Sequence, residues 1–178
     1  MEIHRFEKFW LAASLVLIVA FIATVTYGAV GAGISMVNDE GGTIDPDNVG
    51  DHEKFDSPGE LREATDSDAE YEVGIIARQF IFQGALEQRP LEIPENTPVT
   101  FYITSPDVIH GFQVVGTNVN TMVIPGEIAE LTVEFDEPGT YGIVCNEFCG
   151  AGHEDMEGLI EVVPEDEWDD SSENGGEN

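Results

Sequence analysis

Between positions 9 and 38 the chain carries no charged residue, and Leu, Val, Ile, Ala and Phe dominate as far as position 30. Such a run exceeds the roughly 20 residues that cross a bilayer core as a helix. It is also longer than the apolar core of about 7 to 15 residues typical of a cleaved leader. The pattern predicts one retained transmembrane helix over 9–36, behind a short polar lead, 1–8, that contains Arg5 and Lys8. Basic residues before the span and acids after it predict a cytoplasmic N-terminus and place the remainder on the extracytoplasmic side of the cell membrane.

Beyond the apolar run the pattern changes twice. Positions 37–70 are rich in Gly, Asp, Glu, Ser and Pro with almost no periodic apolar residue. They read as a solvated acidic linker with a short helix around 58–64, capped by Ser57, and with His52 in water. From Tyr71 onward, short runs of β-branched and aromatic residues alternate with turn residues. Candidate strands are 72–77, 91–93, 99–104, 111–115, 127–135, 141–144 and 159–163. Pro94-Glu95-Asn96, Pro125-Gly126 and Glu137-Pro138-Gly139 supply turn chemistry between them. Strands of this length and spacing predict an all-β sandwich or barrel over 71–164. The stretch 165–178 reads as a disordered acidic tail.

Charge narrows the function classes. The 178 residues include 36 Asp and Glu against 6 Lys and Arg, a net charge of −30, and no Lys or Arg follows Arg89. Binding to nucleic acid is excluded, because phosphate recognition needs clustered basic side chains. The acids spread over every extramembrane part rather than forming one docking patch. Such global excess suits a protein kept soluble in concentrated salt, where the screening length falls to about 3 Å at 1 M. A salt-adapted, halophilic source is the expectation.

Both cysteines of the chain fall in 145–156, as Cys145-Asn146-Glu147-Phe148-Cys149-Gly150-Ala151-Gly152-His153-Glu154-Asp155-Met156. Thiolate, imidazole and thioether form the soft donor set that selects copper, whereas magnesium and calcium require oxygen. The spacing suits a tight loop around a metal, and Gly150 and Gly152 let the backbone turn closely. A structural disulfide and a zinc site are the competing readings. A second histidine is supplied by His110 in Ser105-Pro106-Asp107-Val108-Ile109-His110-Gly111-Phe112. Asp107 is either a partner for the second nitrogen of that ring or a turn former after Pro106.

These residues resemble subunit II of the haem-copper oxidases, whose soluble domain carries the dinuclear CuA centre. The resemblance runs from about Tyr71 to Pro164 and takes in Gln79-Phe80, the segment from Ser105 through Gly116-Thr117-Asn118, Pro125-Gly126-Glu127, Pro138-Gly139 and the ligand loop. With a single span, the chain looks most like the B-type branch. The resemblance implies a cupredoxin-like Greek key for the β domain. It also implies two copper ions bridged by Cys145 and Cys149, with His110 and His153 as imidazole ligands. Met156 would be the weak thioether ligand, and Glu147 would offer its main-chain oxygen.

The resemblance further implies an electron-entry role in cytochrome-c oxidase activity, with oxygen chemistry in the haem-bearing subunit I. The donor would be cytochrome c or a small blue copper protein. Glu147 stands where A-type relatives use a glutamate side chain for magnesium or manganese at the subunit interface, and it reads either as such a ligand or as one more carboxylate of an acid-rich chain. Phe80 and Phe82 stand where those relatives have a tryptophan-rich wording, so they are read as packing or as an apolar docking centre for the donor. The competing function is a freestanding, membrane-anchored copper shuttle. Such shuttles use a single cysteine, against which Cys145 argues.

Overall fold

The computed structural model describes residues 4–30, 37–38, 41–65 and 67–168. The chain divides into an N-terminal unit and a second unit that begins at Gly33, each taken by itself. The first holds helix α1 (Arg5–Val30), long and apolar enough to cross a membrane. At 1.5 Å per residue it spans about 39 Å, more than the hydrocarbon thickness of about 30 Å. Its apolar residues lie on all sides rather than along one stripe, as a lipid-facing helix requires. The helix starts four residues earlier than the expected span, because the backbone N–H of His4 donates to Glu7 Oε2 at 2.9 Å and satisfies the first turn. Positions 31–36 of the expected span lie outside the described residues.

The second unit is a sandwich of two sheets. Its strands, among the described residues, are β1 (Val37–Asn38), β2 (Arg62–Glu63), β3 (Tyr71–Arg78), β4 (Ile81–Gln83), β5 (Leu91–Pro94), β6 (Val99–Thr104), β7 (His110–Val114), β8 (Asn120–Val123), β9 (Ala129–Val133), β10 (Gly139–Val144) and β11 (Glu157–Val163). One sheet runs β1-β9-β6-β3-β2, with β4 also paired to β3, and the other runs β5-β11-β10-β7-β8. β3 and β6 are parallel, as are β5 and β11, and the remaining pairs are antiparallel. Each expected strand has its counterpart. The all-β, cupredoxin-like expectation therefore holds for this unit.

Strict alternation builds the core. Val73, Ile75 and Ala77 of β3 and Val99, Phe101 and Ile103 of β6 point into the sandwich, meeting Phe112, Ile143, Ile160 and Val162 from the other sheet. Each fully buried Val, Ile or Phe among them contributes roughly 1.5–3 kcal/mol. The intervening residues of the same two strands are buried as well. That second burial corrects the reading of 37–70 as a solvated linker.

Over 41–65 the chain forms a strap across the outer face of β3 and β6. Val49 and Phe55 pack on Ile76, Tyr102 and Ile128, with Ile44 beside them. Lys54 Nζ pairs with Glu72 Oε2 at 2.9 Å and sits 4.4 Å from the centroid of the Tyr102 ring. A Cβ on Gly74 would stand 1.8 Å from Lys54 O, so only glycine lets the strap approach. Instead of a helix around 58–64 there is a 3₁₀ turn at Pro46–Asp51, capped by the Asp45 side chain, and then β2. His52 is half-buried and lies 5.7 Å from Phe55, ring to ring.

At the far end, the described chain runs on to Trp168, whose ring stands edge-on to Tyr71 at 6.2 Å. Positions 169–178 lie outside the described residues.

Candidate metal centre

The stretch 145–156 is the loop of the β10–β11 hairpin. Its base is fixed by the Val144↔Glu157 pair and by the Cys145 N–H donating to Met156 O at 3.2 Å. β7 lies against β10 with Val144 opposite Gln113, which brings the first residue of β7, His110, beside the base of the loop. Side chains far apart in sequence therefore meet at one end of the second sheet.

Both cysteines are free, with their sulfurs 3.8 Å apart, nearly twice the length of a disulfide bond of about 2.05 Å. The Cys145 sulfur has His110 Nδ1 at 3.8 Å and Glu147 O at 3.1 Å. The Cys149 sulfur has His153 Nδ1 at 3.6 Å and Met156 Sδ at 3.7 Å. The structure thus gathers His110, Cys145, Cys149, His153, Met156 and the Glu147 carbonyl, each thiol flanked by one imidazole. His110, Cys145 and Cys149 offer ligand atoms within 4.8 Å of one another and are buried. Glu147 itself is exposed.

Burial, and then the adjacent Cys145 sulfur, push the Cys149 thiol up to about 11. An incoming metal must therefore displace a proton there. On the other flank, Asp107 Oδ1 lies 2.9 Å from His110 Nε2. That contact makes Nε2 the N–H donor and leaves the Nδ1 lone pair facing Cys145. Burial of Asp107 opposes its ionisation, but hydrogen bonds from the Gln79 N–H, the His110 ring, the Val108 N–H and the Ser105 hydroxyl hold its carboxyl below the ordinary value. Asp107 is at once the histidine's partner and the acceptor of turn N–H groups, so the two sequence readings of it coincide.

Three neighbours of the site were not singled out by spacing. Gln79 donates from its side-chain amide to Cys149 O and from its backbone N–H to Asp107 Oδ2, the latter at 2.9 Å. Asn146 lies over Gly111, where a Cβ would stand 1.8 Å from Asn146 Oδ1, and it donates to Asn120 Oδ1 at 3.0 Å. Phe148 is 75% exposed, with its ring 5.9 Å from that of His153. Phe80, by contrast, is half-buried against Gly150 and Gly152, and Phe82 is in the core. The exposed ring beside the site is Phe148.

Two free thiols, two imidazoles and a thioether packed together are a soft donor set that fits copper and fits neither magnesium nor calcium. The sequence model of a family described as cytochrome C oxidase subunit II, periplasmic domain, matches residues 63–163. The chain is 38% identical over 167 residues to cytochrome c oxidase subunit 2 of Thermus thermophilus, covering 90% of this chain and 93% of that protein. A chain of a heme-copper terminal oxidase dimer solved by cryo-EM superposes with a TM-score of 0.57 at 33% identity, covering 89% of this chain and all of that one. The periplasmic domain of subunit II of the Bradyrhizobium japonicum cytochrome oxidase superposes with a TM-score of 0.52 over 58% of this chain and 91% of that one. At 22% identity it speaks to fold alone.

Proposed function

The chain belongs to the cytochrome c oxidase subunit II family, and from that premise we propose that it is the electron-entry subunit of its haem-copper oxidase. The observation that carries this reading is the pair of free thiols 3.8 Å apart with an imidazole against each. His110, Cys145, Cys149, His153, Met156 and the Glu147 carbonyl would hold two copper ions, the CuA arrangement. A bound copper pair would supply one-electron redox chemistry, with cytochrome c or a small blue copper protein as the external donor and haem in subunit I as the acceptor.

The chain's own residues make that transfer easy by moving little. The hairpin base and Asp107 fix the ligand side chains, and burial of His110, Cys145, Cys149 and Met156 keeps water away from them. A site so constrained needs little rearrangement when its charge changes. Phe148 offers the donor an exposed aromatic contact on the loop that carries both cysteines. Helix α1 anchors the subunit in the cell membrane with its N-terminus in the cytoplasm and the copper domain outside. The exposed Glu147 carboxylate is the candidate for a magnesium or manganese ion at the boundary with subunit I.

The test is the optical and EPR spectrum of the full chain in detergent and high salt, loaded with copper. Two coppers per chain and one unpaired electron shared over two copper nuclei are expected. A blue, one-copper signal would move the protein to the freestanding shuttle class, and failure to hold copper would sink the reading.

A further inference from the structure

Gln79 connects the two halves of the site. Its backbone N–H donates to Asp107 Oδ2 at 2.9 Å, and Asp107 Oδ1 holds His110 Nε2 at 2.9 Å. Its side-chain Nε2 donates to the carbonyl of Cys149. One residue thus joins the loop before β7, which ends in His110, to the hairpin loop that contains Cys149. The loop closes tightly on this pair, because a Cβ on Gly150 would stand 2.7 Å from Gln79 Nε2 and one on Gly152 would stand 2.7 Å from the Phe80 ring. Gln79 and Phe80 form a wedge seated on the only two glycines of the 145–156 loop.

We propose that Gln79 is a positioning residue of the metal centre, which ties the Cys149 backbone to the Asp107–His110 pair and sets the spacing of the two ligand-bearing loops. The inference rests on the copper reading above for its redox part only. Spacing is set before any metal binds, since every contact in the chain His110–Asp107–Gln79–Cys149 is within the protein. The amide also points the positive end of its dipole at the peptide of a cysteine. That dipole disfavours the more positive, oxidised centre, so its removal lowers the reduction potential.

The test uses the full chain in detergent with Gln79→Leu, which keeps the shape and removes the donor, and Gln79→Asn, which keeps the amide but cannot reach. In the copper-free protein, hydrogen exchange is followed at the His153 and Met156 amides, which close the loop's own turns onto Gly150 O and His153 O. Loss of one hydrogen bond predicts about tenfold faster exchange there with the amides of β6 unchanged. Both variants behave alike. In the copper-loaded protein both show a lower potential and an altered copper hyperfine pattern.

Unchanged loop exchange overturns the positioning role outright, and acceleration of loop and β6 together overturns it by making Gln79 a general stabiliser. Faster loop exchange with an unmoved potential overturns the redox part. If the unmodified chain gives no shared-electron copper signal, the CuA reading fails by itself, and the copper-free exchange experiment still decides the role of Gln79.

Discussion

Lys54 Nζ lies 2.9 Å from Glu72 Oε2, with the two side chains only 10% and 9% exposed. In a chain with 6 Lys and Arg residues, this one is held on the buried side of the strap. Removing one partner of a buried pair leaves an uncompensated charge, which costs about 3–5 kcal/mol. Lys54→Met is expected to destabilise the domain by about that amount in denaturant unfolding. Adding Glu72→Gln to it is expected to recover most of the loss. An additive double variant would show that the pair does not hold the strap.

Tyr102 lies on the same covered face. Burial raises its hydroxyl pKa, Lys54 opposes the rise, and the charges of Glu130 and Glu72 add to it. The folded protein therefore holds the phenolic proton more tightly than the unfolded chain does. Stability from this group is complete below the ordinary tyrosine value near 10 and is lost as pH rises through the higher folded value. Unfolding free energy measured from pH 8 to 11.5 should fall more steeply in the unmodified protein than in Tyr102→Phe. Parallel curves would remove Tyr102 from the account.

Asp107→Asn tests the histidine partner. The substitution keeps the shape but lets the side chain present an N–H to a ring nitrogen that itself donates. Loss of such a carboxylate partner commonly weakens metal binding 10–100-fold, and competition with a copper chelator should show a drop of at least about tenfold. An unchanged affinity would make Asp107 a turn former only.

A net charge of −30 on 178 residues predicts a folded state that gains from screening. The unfolding midpoint of the full chain in a non-ionic detergent should rise steadily as NaCl goes from 0.1 to 3 M, with little change in an isosmotic neutral solute. A flat response would remove the argument for salt adaptation.

The β domain was legible because its strands carry the period-two pattern and its turns carry proline and glycine at the joints. The loop over 145–156 was legible because its chemistry is contiguous in sequence. The strap was not. Val49 and Phe55 stand singly among acids and glycines, too sparse for any periodicity, and their partners Ile76 and Tyr102 belong to distant strands. A signal was present in Ile75-Ile76 and Phe101-Tyr102, where adjacent bulky residues on a strand demand cover on both faces. Strands β4 and β8 escaped for a different reason. Each is three or four residues long, and Asn120 and Gln83 dilute the pattern. Gln79 could not be found from ligand chemistry at all, since an amide bonded to a main-chain carbonyl leaves no mark on residue spacing.

His110 and Cys145 are 35 residues apart in sequence and meet only because β7 lies beside β10. An ion that requires both of them finds no home on a nascent chain whose second sheet is still open, even though the 145–156 loop is already synthesised. A site that uses both residues therefore exists only where β7 and β10 have paired, a long-range contact of the kind that forms slowly. Copper held in the proposed arrangement would then report that this pairing has been made.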